Sequence, residues 1–318
     1  MRSLKEFSFS LMKGRVIAVL LLSSLGLSMT TTQALAVPNK FSMLSFSWLP
    51  MVTDQMLVGP DKFGIEEIYP VVSNGPIWYI NSENPQSDKN FYFRSLKDIN
   101  LDKDGVQGEF EMNAETGTEE HGVRIHVDSP IGKWKNVEMS GYFKLLDGQD
   151  EFTMIARHGP SYHDNGGCDA YGYYGMLSAQ GDAYLKKKTY HNGGGYTDRT
   201  AVAEKVVNKL QDRWIGMKFM VYDVGNGHVK LELWVDDGDE TNNWKKVTEY
   251  IDDGNWETDE SHCGRPKNYI IDSGTRATFR VDDSKFEFKK LSVKEIEAGE
   301  MEGASLMPYP IKALSKKE

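Results

Sequence analysis

Arg124 and His126 stand two residues apart in the stretch His121-Gly-Val-Arg-Ile-His-Val-Asp128, alternating with Val123, Ile125 and Val127. In an extended chain residues i and i+2 share a face, so a guanidinium and an imidazole would project side by side. Arg157 and His158 end a second alternating stretch. Tyr171, Tyr173 and Tyr174 crowd a third, and Lys187 and His191 lie at or near the end of a fourth. Arg or His can neutralise a carboxylate, and His or Tyr can take or give a proton. If these stretches are sheet neighbours, Arg124, His126, Arg157, His158 and Tyr174 form a candidate catalytic set. Tyr171, Tyr173, Lys187 and His191 are the candidate substrate-binding set. Each has an ordinary alternative role. Arg124 and His126 could be the solvated face of a strand, the tyrosines simple strand residues, and Lys186 to Lys188 a charged sheet edge.

The elements that must position these residues read as β-strands. Residues 136–146 place Val137, Met139, Gly141 and Phe143 on one face, and Asp147-Gly148 turns the chain towards 151–157. Stretches 171–178 and 182–190 flank Ala179-Gln180-Gly181. Stretches 215–224 and 228–235 flank Gly225-Asn226-Gly227, a strong hairpin signal. Residues 244–251 follow an acidic turn over 236–243, and 278–281 and 286–296 close the pattern. Residues 200–210 fit a helix or a strand equally. Many short antiparallel strands at about 10-residue spacing predict an all-β protein, a β-sandwich or jelly roll. One domain over 61–296 accounts for them.

The ends differ from this body. Residues 1–36 read as a secretory signal: Arg2, Lys5, Lys13 and Arg15 precede the apolar run 16–29 and the small-residue site Ala34-Leu35-Ala36. An uncleaved anchor is the alternative. Residues 37–60, with Pro38, Pro50 and Pro60, read as a leader, and 297–318 as a loose polar tail. The 318 residues carry a formal charge of −10, and removing the basic signal leaves a more acidic chain. That balance argues against nucleic acid as a partner. No later stretch is apolar enough for a membrane span, so no membrane association is expected after cleavage. In an oxidising compartment the two cysteines, Cys168 and Cys263, are expected to pair. Such a staple would contribute about 4–5 kcal/mol through chain entropy. A metal site of Cys168, Cys263, His163 and His262 is the alternative, but it lacks C-x-x-C spacing. The acidic turns 236–240 and 102–105 could offer oxygens to calcium, yet neither completes a calcium loop. No cofactor or metal is expected, with calcium left as an alternative.

Four stretches carry a family likeness. They are Trp134-Lys-Asn-Val-Glu-Met-Ser-Gly-Tyr142, Asp212-Arg-Trp-Ile-Gly-Met-Lys218, Leu231-Glu-Leu-Trp-Val-Asp-Asp237 running to Trp244-Lys-Lys-Val247, and Phe286-Glu-Phe-Lys-Lys-Leu-Ser-Val-Lys-Glu295. In these, residues 134–296 resemble the concanavalin A-like lectin/glucanase superfamily. The resemblance implies a jelly roll and engagement of carbohydrate, on a fold that hosts lectins, hydrolases and lyases. Alginate-lyase-type members carry a Gln-Ile-His strand and a Tyr-x-Lys-Ala-Gly-x-Tyr strand. Arg124-Ile125-His126 is similar to the first, with Arg for Gln. Tyr171-Gly172-Tyr173-Tyr174-Gly175-Met176-Leu177 is similar to the second at Tyr171 and Gly175. Tyr173 replaces the Lys, and Leu177 replaces the final Tyr that moves protons in the family.

The resemblance implies a lyase that neutralises a uronate carboxylate, removes the C5 proton and protonates the leaving oxygen. Retaining glycoside hydrolysis instead needs two carboxyl groups about 5–5.5 Å apart. The nearest acidic pairs, Glu109 with Glu111 and Glu119 with Glu120, do not form the superfamily's Glu-x-Asp-x-x-Glu strand. The expectation is a secreted, monomeric protein acting on extracellular polysaccharide, as a polyuronate lyase working by β-elimination. A non-catalytic carbohydrate-binding or cell-surface module is the alternative. An acidic body can hold an acidic glycan only where its cations gather. Arg124, Arg157, Lys186, Lys187, Lys188 and Arg199 are the residues to follow.

Overall fold

The apolar alternation becomes fifteen strands among the described residues. The computed structural model describes residues 59–93, 99–100, 108–113, 122–160, 164–191 and 193–298. The expected signal, most of the leader, the end of the tail, the acidic turn at 102–105, Glu119 and Glu120, and His163 lie outside them. In chain order the strands are β1 (Ile77–Tyr79), β2 (Phe91–Phe93), β3 (Ile99–Asn100), β4 (Phe110–Asn113) and β5 (Val123–Asp128). There follow β6 (Val137–Gly148), β7 (Phe152–His158), β8 (Gly172–Leu177), β9 (Ala183–Lys188) and β10 (Thr200–Ala203). The last are β11 (Ile215–Asp223), β12 (Val229–Asp236), β13 (Lys245–Asp252), β14 (Arg276–Val281) and β15 (Ser284–Glu295). The ambiguous stretch 200–210 is therefore a short strand followed by turns. Strands β1 to β4 are only two to four residues long, which leaves little periodicity to read.

Two antiparallel sheets form a jelly-roll sandwich. One runs β13-β12-β11-β6-β15-β4-β3, with β1 also on β15; the other is seven-stranded, β10-β9-β8-β7-β14-β5-β2. Asn226 and its flanking glycines adopt positive φ between β11 and β12, as the tight hairpin requires. Val137, Met139, Phe143 and Leu145 of β6 meet Phe152, Met154, Phe279 and Val281 of the facing sheet in one apolar core. Phe143 stacks on Phe152. Gly175 is held to a hydrogen side chain by Phe219, because a Cβ there would lie 2.5 Å from that ring. No helix among the described residues is long and apolar enough to cross a membrane.

Two polar devices tie the layers together. Cys168 and Cys263 form a disulfide across a sequence separation of 95 residues, as expected. It joins the loops that follow β7 and β13. Deeper in, Lys187 reaches across to Asp252 at the end of β13, with Nζ 2.9 Å from Oδ2 and both side chains fully buried. The Tyr173 hydroxyl donates to the same carboxylate at 2.7 Å and accepts from the Ile271 amide at 3.0 Å. Removing one partner of a buried pair strands the other charge away from water, at a cost of about 3–5 kcal/mol. Lys187→Met is therefore expected to lower the unfolding free energy by about that amount in denaturant titration. The double variant Lys187→Met/Asp252→Asn, which removes both charges and keeps an acceptor for Tyr173, is expected to recover most of the loss.

Candidate functional site

Alternation gives each strand of the seven-stranded sheet an inner and an outer set. In β5, Val123, Ile125 and Val127 enter the core, so Arg124 and His126 face outwards. In β14, Ala277, Phe279 and Val281 point inwards and Arg276, Thr278 and Arg280 outwards. In β8, Tyr173 and Leu177 are inner, and in β9 Ala183 and Leu185 are inner, with Lys187 beside them. Tyr174, Met176 and Tyr184 therefore lie on the outer face, where they cluster with Ile155 of β7. Lys186 and Lys188 follow Tyr184 on that face.

Strand β7 breaks the rule at its end. Phe152, Met154 and Ala156 point inwards, so alternation alone would send Arg157 out. Instead Arg157 takes a left-handed φ of 49°, and the pairing of β14 with β7 shifts register between Arg276 and Thr278. This bulge turns Arg157 into the protein and presents His158 on the outer face. The buried guanidinium donates to the Lys135 and Ile271 carbonyls, both at 2.7 Å, and to Asp223 Oδ1 at 2.7 Å. Gly274 packs directly on the bulge, since a Cβ there would lie 2.0 Å from the Arg157 carbonyl carbon.

Beside the bulge, one hydroxyl meets two imidazoles. Thr278 Oγ1 lies 2.9 Å from His126 Nδ1 and 2.8 Å from His158 Nδ1. The two rings stack at 5.9 Å, and the Tyr92 ring stands 5.0 Å from His126. Arg124, His126, His158, Tyr174 and Lys188 are all at most 4% exposed. Next along the face, Lys188 Nζ lies 3.1 Å from His191 Nδ1, which is also 3.2 Å from the Tyr196 hydroxyl. The Tyr196 ring lies beneath both Lys186 and Lys188, at 5.3 and 5.0 Å. Half-buried His191 and Tyr196 and exposed Arg199 form the wetter rim.

Cations outnumber carboxylates here. Arg124, Lys186, Lys188, Arg199, Arg276 and Arg280 stand with Asp128, Asp150, Glu151, Asp198 and Asp282. Arg124 and Arg280 share Asp282, Arg276 lies 3.3 Å from Asp128, and Arg199 lies 3.5 Å from Glu151. The crowding shows in the acid–base balance. Burial pushes the His158 ring well below the usual histidine range, and His126, Lys188, Arg276 and Arg124 press it further down. Burial also lowers Lys186; Glu151 opposes that shift while Arg199 and Arg280 reinforce it. Both groups are held towards their neutral forms, and an incoming anion would oppose that.

Of the residues singled out from sequence, Arg124, His126, His158 and Tyr174 share this outer face, and His191 joins them through Lys188. Three do not. Arg157 is turned inwards by the bulge, and Tyr173 and Lys187 belong to the buried Asp252 cluster. Tyr171 packs beside the core under the Arg265 guanidinium, 4.5 Å from its ring centre. Thr278, Tyr196, Arg276 and Arg280 were not among the sequence candidates, and Lys188 was named only among the cations to follow. For Lys188 the signal existed: Ala183, Leu185 and Lys187 keep one parity, and Lys186 and Lys188 the other. Thr278 carried none, because a threonine in a strand is ordinary.

The alternative metal sites resolve differently. Cys168 and Cys263 lie beside His262, but their sulfurs are bonded to each other rather than open to a metal. In the acidic turn, Asp236 accepts from the Gly238 and Asn242 amides, the Thr241 hydroxyl and the Tyr142 hydroxyl. Glu240 pairs with Lys289 and Lys290. These carboxylates shape the turn. A small open pocket lined by Val206, Val235, Asp237 and Lys245 shares no residue with the cationic face.

No family model matches the chain, and no curated protein matches it. Similar solved structures include carbohydrate-binding module CBM66 from Bacillus subtilis, at 11% identity and a TM-score of 0.37, covering 71% of this chain and 99% of that one. A protein of unknown function with a galectin-like fold, also from Bacillus subtilis, has 11% identity and a TM-score of 0.44, covering 72% and 98%. The PL-14 alginate lyase from Aplysia kurodai has 12% identity and a TM-score of 0.39, covering 69% and 98%. At such identities no residue role passes from those proteins to this one.

The depressed His158 ring has a measurable consequence. The unfolded chain gains a proton below the ordinary value of 6.5, while the native ring stays neutral until its own lower value is reached. The ring's contribution to stability is therefore full above pH 6.5 and lost as pH falls from there towards the native value. The unfolding midpoint of His158→Gln is expected to fall less steeply than that of the wild type across this window. Parallel pH curves would show that His158 is not held neutral.

Proposed function

We propose that the protein is exported, and that the outer face of the seven-stranded sheet binds an acidic polysaccharide and cleaves it at a uronate by β-elimination. The observation that carries this reading is the gathering of cations, two imidazoles and a tyrosine on one face of a chain with a net charge of −10. The Cys168–Cys263 disulfide supports export, since such bridges persist in oxidising compartments.

The roles follow from the chemistry of each group. Lys188 and Arg276 attract the uronate carboxylate and stabilise the negative charge that spreads onto it when C5 loses its proton. A neutral imidazole, His126 or His158, accepts that proton. The C5–H electron pair becomes the C4–C5 double bond, and the C4–O bond breaks with its pair moving to the glycosidic oxygen. The Tyr174 phenol supplies a proton to that oxygen. Burial strengthens each of these electrostatic effects, because little water screens them.

The test is incubation of the full chain with a panel of uronate-containing polysaccharides, followed by ultraviolet absorbance of the unsaturated product. Growth of that band is expected, and His126→Ala or Lys188→Met should lower kcat/KM by about 10²-fold or more, the range typical of a lost acid–base or charge-stabilising group. Binding without absorbance from any substrate would replace the lyase by a non-catalytic carbohydrate-binding module. Neither binding nor absorbance would overturn both.

A further inference from the structure

A hydroxyl carries one hydrogen, and Thr278 offers its single oxygen to two imidazoles. His126 Nδ1 and His158 Nδ1 lie 2.9 and 2.8 Å from Oγ1, both at hydrogen-bond distance. When the hydroxyl points at one Nδ1, that nitrogen is bare and its neutral ring carries the hydrogen on Nε2. The other Nδ1 must then donate to the same oxygen, which leaves a lone pair on its Nε2. Two bare Nδ1 atoms would leave one lone pair facing the oxygen without a hydrogen between them, and two Nδ1–H donors would leave the hydroxyl hydrogen without an acceptor, since among the described residues the hydrogen-bond partners of Thr278 Oγ1 are these two rings. An imidazolium at His158 would add its charge to those of Lys188, Arg276 and Arg124.

We infer that Thr278 is a positioning residue that holds His126 and His158 in opposite neutral tautomers, one presenting Nε2–H and the other an Nε2 lone pair. The tautomer pairing stands on the hydrogen-bond geometry alone, and only its catalytic consequence rests on the elimination reading. There, the ring with the bare Nε2 is the proton acceptor, already in the reactive tautomer before substrate arrives. The pairing thus decides which of the two imidazoles acts. It also explains why a buried, apolar-flanked strand position holds a hydroxyl: Thr278 lies between Ala277 and Phe279 and is itself fully buried.

The test is a long-range proton–nitrogen correlation spectrum of the full chain labelled with ¹⁵N-histidine, recorded where both rings are neutral. His126→Gln and His158→Gln assign the two resonance sets. One Nδ1–H ring and one Nε2–H ring are expected. Thr278→Val is expected to release at least one ring into averaged tautomers, and Thr278→Ser to restore the pair. The same tautomer in both wild-type rings, or an unchanged pattern in Thr278→Val, would overturn the inference. Should Thr278→Val not fold, the wild-type spectrum and Thr278→Ser still decide. In the elimination assay, Thr278→Val should lower kcat on the order of tenfold or more with little change in KM, and Thr278→Ser should recover it. Opposite tautomers in a protein that yields no unsaturated product would overturn the elimination reading and leave the positioning role standing. Identical tautomers in an active enzyme would do the reverse.

Discussion

The arrangement of the cationic face depends on one buried guanidinium. Arg157 leaves the ladder with a left-handed backbone and is held inside by the Lys135 and Ile271 carbonyls and Asp223. Each of those partners belongs to a different part of the chain, so the bulge is fixed from several sides. Burial alone would raise the Asp223 carboxyl, but Lys135 and Arg157 hold it below the usual range, so the charge pairing Arg157 is kept. Without the bulge, Arg157 would face outwards and His158 would face the core. The two-histidine arrangement on Thr278 would not exist.

The two outer faces of the sandwich show what a closed and an unbalanced polar surface look like. On the larger sheet, Lys294 is buried among Asp61, Glu67 and Glu138, at 3.2 to 3.4 Å, and Lys218 lies 2.6 Å from Glu138. Burial would raise Glu138 and lower Lys294, yet the partners reverse both shifts. The segment carrying Asp61, Glu67 and Tyr69 lies over that face, with the Tyr69 hydroxyl on Glu232. Those charges are paired, although burial still holds Lys218 below the usual lysine range. On the smaller sheet, burial and neighbouring cations push His158 and Lys186 in the same direction, towards the neutral form. What directs the functional reading to the smaller sheet is the pair of imidazoles on Thr278 beside Lys188 and Arg276.

How much of this was legible in the sequence varied with the strand. The clean alternation of Val123, Ile125 and Val127 was enough to send Arg124 and His126 outwards together. The disulfide and the hairpin at Asn226 followed from cysteine count and turn chemistry. Lys187 was misleading because its charge argues for the surface, while the parity of Ala183 and Leu185 argues for the core. The partner that settles the conflict, Asp252, lies 65 residues away. Tyr173 and Tyr174 are adjacent and chemically alike, so only the register against β7 and β9 separates the buried one from the outer one. His158 could not be placed at all by period two, because a bulge is set by tertiary contacts. Thr278 matters through its position between two rings, which no local pattern encodes.

On the proposed reading the outer face of the seven-stranded sheet recognises carboxylate. Calorimetric titration with a uronate oligosaccharide and with its carboxyl-reduced, neutral counterpart tests it most directly. Binding of the acidic sugar is expected to weaken with added salt and to be largely lost in Lys188→Met, with the neutral sugar bound poorly or not at all. Equal affinity for the two sugars, or unchanged affinity in Lys188→Met, would contradict it.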